Sequence, residues 1–218
     1  MSKTKLLLLS LSVFNLSACG GGSSDTPTPT PPQTPTPTPT PTPENGGILV
    51  FSETAGFRHE SISDGQTMLS SIANENGWEI DFTEDSSQFN ATNLSQYSVV
   101  VWLNTTGDVL NTNEQSAFEN YVESGGGYLG VHAASDTEYS WTWYGDLVGA
   151  YFDSHPQVQQ ATVNIEDATH QSTRALGAAW QHTDEWYNFQ TNPRTNVNVL
   201  MSLDEATYSP GAGAMGDH

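Results

Sequence analysis

Val99-Val100-Val101-Trp102-Leu103 decides the fold: five consecutive apolar residues without polar alternation mark a strand buried on both faces. Such a strand has to be covered on each side, which is what the helices of an α/β sheet do. Toward the C-terminus, Thr112-Asn113-Glu114-Gln115 fits a capping box ahead of Ala117, Phe118, Tyr121 and Val122, and Gly125 ends that helix. Tyr128-Leu129-Gly130-Val131 is then a further strand. Toward the N-terminus, Trp78, Ile80 and Phe82 alternate as a strand. Before them Ile62, Met68, Leu69, Ile72 and Ala73 share one helical face, with Ser61 or Ser63 as N-cap and Gly77 as the stop. Ile48-Leu49-Val50-Phe51 repeats the continuous buried run. This βαβ(α)βαβ order predicts an α/β fold with a doubly wound, mostly parallel sheet and helices on both faces. Sites in such sheets form beyond the carboxyl ends of the strands, beside the switch in strand order. That singles out residues 56–60, 104–108 and 132–136. Further strands are predicted at 158–165, 185–189 and 197–203.

The chain has 218 residues, with 25 Asp+Glu against 5 Lys+Arg and a formal net charge of −20. Lys3 and Lys5 are its only lysines, so Arg58, Arg174 and Arg194 are all the cations beyond the first residues. That surface repels phosphate backbones and argues against a nucleic-acid partner. All six Trp, all eight Tyr and seven of the eight Phe lie beyond residue 47, enough to build a core over residues 47–218. Lys3 and Lys5 precede an apolar run from Leu6 to Phe14, and Leu16-Ser17-Ala18-Cys19 resembles a bacterial lipobox holding the single cysteine. Residues 1–18 therefore read as a lipoprotein signal peptide and Cys19 as the lipidation site. Several acyl chains, at about 0.8 kcal/mol per buried CH₂, would tie it stably to a lipid bilayer. Gly20 in place of Asp favours, by the same resemblance, the outer membrane of the cell envelope. Residues 19–46 read as a disordered linker, Gly/Ser-rich and then alternating Thr and Pro, with nine of the twelve prolines between Thr26 and Pro43. Polyproline II at about 3.1 Å per residue makes that stretch a spacer of roughly 56 Å.

Gly127-Tyr128-Leu129-Gly130-Val131-His132-Ala133-Ala134 has the strand, sharp turn and small residues of a nucleophile elbow, with histidine at the tip. His132 there suits proton transfer or metal ligation. His59 lies in a strand-end loop between Arg58 and Glu60, where it is either functional or caps the next helix. His155, before Pro156, is held extended and can pre-organise a ligand. Asp184 and Glu185 offer carboxylates, of which one can enter a given pocket. Asn104, at a strand end, is a candidate substrate contact. Trp141, Trp143 and Tyr144 are a candidate platform for sugar stacking, with core packing as the rival reading. Asp136 could orient His132 or cap a helix. Histidines and carboxylates without thiols would suit zinc or a similar divalent metal, with His132, His155 and His59 as candidate ligands, although the spacing is diagnostic of no metal. His170 and His182 read as surface residues.

The chain resembles the ThuA-like family, named for trehalose utilisation and related in fold to class I glutamine amidotransferases. The resemblance rests on Thr54-Ala-Gly-Phe-Arg-His59-Glu-Ser-Ile62, Gly125-Gly-Gly-Tyr-Leu-Gly-Val-His132, Gly149-Ala-Tyr-Phe-Asp-Ser-His155-Pro156, Thr183-Asp-Glu-Trp-Tyr187 and Gly216-Asp217-His218, in that order. It implies a flavodoxin-like sheet, a place in carbohydrate use and no amidotransferase cysteine. Between the two carboxylates it favours Glu185, with Asp184 close behind. It also implies that the last of these stretches leads into a closing strand, so the sheet is expected to lack its final strand here. The expected function is that of an exported, lipid-anchored protein acting on trehalose or another glycoside, with His132, His59, Glu185 and Asp184 catalytic. Hydrolase, lyase and isomerase chemistry are not separated. The alternative is a non-catalytic carbohydrate-binding module, and the oligomeric state is not legible.

Overall fold

The structure, a computed structural model, describes residues 46–218. The signal peptide, Cys19 and nearly all of the linker lie outside the described residues. Among the described residues no helix is long and apolar enough to cross a membrane.

Four parallel strands form the first sheet: β1 (Gly47–Phe51), β2 (Ile80–Thr83), β3 (Tyr97–Leu103) and β4 (Gly127–Val131), in the order β2-β1-β3-β4. The helices are α1 (Ile62–Asn76), α2 (Ala91–Leu94), α3 (Thr112–Glu123) and α4 (Thr142–Val148). The two-residue period of a strand sorts the apolar runs onto two faces. Leu49, Phe51, Val100 and Trp102 join Phe118 of α3 and Tyr144 of α4 in the larger core cluster. Val50, Val101 and Leu103 face the other way and meet Leu69 of α1. Helices therefore flank both faces, as the unalternating runs require. Trp102 is the centre of the larger layer, stacked on Tyr144 at 4.7 Å and tilted against Phe118 at 5.3 Å. Its Nε1 is buried without a partner, a cost of about 1–3 kcal/mol that the packed rings offset. β4 is the edge of this sheet, and Leu129 on it is half exposed.

Helix ends follow local chemistry. Gly77 takes φ 69° and returns its N–H to the carbonyls of Ala73 and Asn74, closing α1. The capping box of α3 sits one residue earlier than the sequence suggests. Asn111 is the N-cap: its side chain accepts from the N–H groups of Asn113 and Glu114, and Glu114 accepts from the N–H of Asn111. Asn outranks Thr at an N-cap, and Asn111 already has an extended backbone.

The C-terminal part adds two antiparallel sheets that the sequence reading located only in part. β5 (Phe152–Ser154) pairs with β8 (Asn188–Phe189), and β6 (Gln159–Ile165) lies between β7 (Ala179–Asp184) and β9 (Met201–Asp204) in the order β7-β6-β9. The expected strand at 185–189 is strand only over Asn188–Phe189, and that at 197–203 begins at Met201. β7 escaped notice because it is an edge strand exposed along its whole length, so it shows no buried alternation.

Candidate functional site

Three loops at the carboxyl ends of β1, β3 and β4 are laced together. Thr106 bridges Thr54, its carbonyl accepts the N–H groups of Ala55 and Gly56, and its Oγ1 donates to the Phe57 carbonyl at 2.7 Å. Gly107, at φ 73°, donates to the Asp136 carbonyl, and a Cβ there would stand 3.1 Å from Ala55. Glu138 is buried at the same junction. Its Oε1 accepts the N–H groups of Val109 and Leu110 at 2.8 and 2.7 Å, and its Oε2 accepts Gln115 Nε2 at 2.7 Å. Burial nonetheless pushes its carboxyl above the ordinary range, against those hydrogen bonds. The strand ends are thus a braced platform.

His132 stands at the tip of β4 with φ 48°, a conformation that costs a non-glycine residue about 1–3 kcal/mol and aims its ring out of the strand. The imidazole is more covered than its backbone, with 29 % of the side chain exposed. His132 Nε2 meets Glu185 Oε2 at 3.1 Å, while His155 Nε2 stands 3.3 Å from Glu185 Oε1. One carboxylate therefore serves two imidazoles, one oxygen each. Tyr187 lies over His132 with ring centroids 4.2 Å apart, and its hydroxyl is 3.4 Å from His59 Nε2. The His59 ring is in turn 4.8 Å from that of His132. Burial, and then the neighbouring His59, push the His132 pKa down, with Glu185 opposing them. Burial and Glu185 push the Tyr187 phenol up, so its hydroxyl is a donor.

A cleft of about 410 Å³ is lined by His132, Asp184, Glu185, Tyr187, Phe189 and His218 among others; His59 and His155 are not part of that lining but touch it, His59 at Tyr187 and His155 at Glu185. Its lining holds two carboxylates and neither lysine nor arginine. Arg58, next to His59, is turned away onto Glu84 at 2.6 Å.

His59, His132, His155 and Glu185 come together from four separate segments. Asp184 lines the cleft but reaches none of these three histidines; its Oδ1 accepts the Glu185 N–H, and its other oxygen is 3.6 Å from the exposed His182. The proposed aromatic platform does not hold. Tyr144 is fully buried and donates to the Ala134 carbonyl at 2.7 Å; Trp141 and Trp143 stack on one another and pack against the core, away from the cleft lining. Their apolar area is worth more inside the layer around Phe118 than beside a polar loop. Asn104 is no surface contact either: it is buried at φ 52°, donates to Ser61 Oγ at 2.9 Å, and does not line the cleft. Asp136 neither orients His132 nor caps a helix; it accepts the Tyr139 hydroxyl at 2.5 Å.

Sequence reasoning passed over three residues here. Phe57 is 69 % exposed, and its ring meets His59 edge-on at 4.9 Å. Tyr187 covers His132, and His218 Nε2 donates to the Tyr187 carbonyl at 2.8 Å. All three stood inside motifs that carried the family resemblance, but only contact shows what they do.

A family model described as trehalose utilisation, ThuA, matches residues 47–218. No curated protein matches the chain. Among solved structures, a ThuA-like protein from Bacteroides uniformis ATCC 8492 is 26 % identical with a TM-score of 0.67, covering 80 % of this chain and 73 % of that one. A ThuA-like protein from Parabacteroides merdae ATCC 43184 is 20 % identical with a TM-score of 0.59, covering 72 % and 68 %, and shares the fold.

Proposed function

The chain belongs to the ThuA family, and from that premise we propose that it is an exported, lipid-anchored enzyme acting on trehalose or another glycoside at the His59–His132–His155–Glu185 cluster beside the cleft. The observation that carries the reading is the single Glu185 carboxylate gripping His132 and His155 under the Tyr187 ring. A carboxylate in that position fixes each imidazole and compensates positive charge that develops on it. Burial pushes the His132 pKa down, and with Nε2 turned to the Glu185 carboxylate a neutral ring keeps a lone pair on Nδ1 that can accept a hydrogen bond from a sugar hydroxyl. The exposed Phe57 ring at the edge of His59 supplies an apolar face suited to the C–H face of a sugar. Export rests on the Lys3, Lys5 and Leu6–Phe14 signal pattern, and anchoring on Cys19.

The test is turnover of a panel of disaccharides, trehalose first, by the full-length chain, followed by NMR of the products. His132→Ala should lower the rate by about 10²–10⁴, the worth of a group acting at the reacting atoms. Binding without product would favour the carbohydrate-binding module, and unchanged turnover in His132→Ala would remove His132 from the chemistry. For the anchor, palmitate label should enter the wild-type precursor and not Cys19→Ser.

A further inference from the structure

We propose that the pocket binds one divalent transition-metal ion, zinc or an ion of similar preference, through His59, His132 and Glu185. This rests on the same pocket being the functional site, and it decides what the His132 lone pair is for. The ligand atoms of the three side chains all lie within 4.8 Å of one another. Bonds of about 2.1 Å in a tetrahedral shell place donor atoms about 3.4 Å apart, so side-chain adjustments of an ångström or so would close the shell without moving the braced strand ends.

Charge and donor chemistry agree with that geometry. The cleft lining carries Asp184 and Glu185 with no lysine or arginine, so a cation enters a field that already favours it. Two imidazoles with one carboxylate and no thiol suit zinc and neighbouring ions better than calcium or magnesium, which take oxygen-rich shells.

The surrounding contacts are those that hold ligands in place. His155 stands on the Glu185 oxygen that His132 does not use, and its Nδ1 is anchored on the Pro156 carbonyl at 2.9 Å. Tyr187 touches His59 with its hydroxyl and His132 with its ring. These are positioning residues, and their loss weakens the ion rather than abolishing it. The three proposed ligands leave a further coordination position free, where a bound ion would polarise a sugar oxygen or a water.

Equilibrium dialysis of the chelator-stripped full-length chain against zinc, with metal analysis, reads this directly. One zinc per chain is expected. Glu185→Gln and His59→Ala should weaken binding by more than 100-fold, His155→Ala by about 10–100-fold, and the exposed His182→Ala should not change it. Cobalt in place of zinc should give a visible absorption band that Glu185→Gln removes. Glu185→Gln is nearly isosteric, so it serves if His59→Ala fails to fold. No retained zinc, or equal retention in Glu185→Gln, overturns the ion. Loss of sugar turnover in His132→Ala without any bound zinc overturns the ion while leaving the glycoside reading intact. Bound zinc that the ligand variants lose upholds the ion even if no glycoside is turned over.

Discussion

Tyr187 lies tilted at 33° over His132 and covers its imidazole. That cover contributes to the burial that depresses the His132 pKa. A folded-state pKa below the ordinary value of about 6.5 means that the unfolded chain binds the proton more readily. Stability from this group is therefore full above about pH 6.5 and is lost as the pH falls toward the folded pKa. Tyr187→Ala should raise the His132 pKa and flatten that slope, whereas Tyr187→Phe keeps the ring and the depressed pKa. An NMR titration of chelator-treated protein reads both, and an unmoved His132 in Tyr187→Ala would assign the burial elsewhere.

Tyr144 should matter to stability and Phe57 to sugar, although the sequence offers Tyr144 as the sugar contact. Tyr144→Ala removes a ring stacked on Trp102 and should cost about 3–5 kcal/mol, seen as a large drop in denaturant midpoint. Phe57→Ala should change stability by less than about 0.5 kcal/mol while weakening sugar binding. Equal sugar affinity in wild type and Phe57→Ala would dismiss the exposed ring as a subsite.

Glu138→Gln should destabilise by about 1–3 kcal/mol. The amide offers one oxygen to the Val109 and Leu110 N–H groups and turns its own N–H₂ toward Gln115, where a donor now meets a donor. Because burial raises the Glu138 pKa, its ionisation destabilises the fold as pH rises through that value, and the variant lacks this dependence. Matched urea titrations across acid pH would show it, and identical midpoints would mean that Gln115 turns its amide at no cost.

Arg194 grips Glu166 with two nitrogens at 2.6 and 2.5 Å, holding the carboxyl down at about 2. A depressed acid contributes stability above its unfolded value of about 4.3, lost as the pH falls toward 2. The pair is partly exposed, so salt should screen it. Arg194→Gln should remove part of the acid sensitivity and the salt dependence together, and thermal melts between about pH 2 and 5 would test it.

The parallel sheet was legible because Ile48–Phe51 and Val99–Leu103 are apolar at every position, a pattern that a strand covered on both faces demands. β7 was not, because an exposed edge strand leaves no periodic mark. His132 and His59 could be located from their strand ends, since the topology of an open sheet gathers those ends in one place. Trp141 and Trp143 misled for a physical reason: sequence proximity to His132 says nothing about which face of the sheet the chain turns toward after residue 136. Tyr187 and His155 reach the site from antiparallel segments whose docking depends on contacts remote in sequence.

That last origin has a practical meaning. His132 is fixed to the parallel sheet, but Glu185, its partner across 53 positions of chain, arrives on a segment between two small antiparallel sheets. The strands of those sheets contribute only Ala161 and Leu203 to the buried apolar residues, against the whole cluster around Trp102, and peripheral elements of that kind open locally at lower free energy than a core. Heating would then disarm the protein before melting it, and half-lives of binding or turnover would report the docking of one segment rather than the endurance of the whole domain.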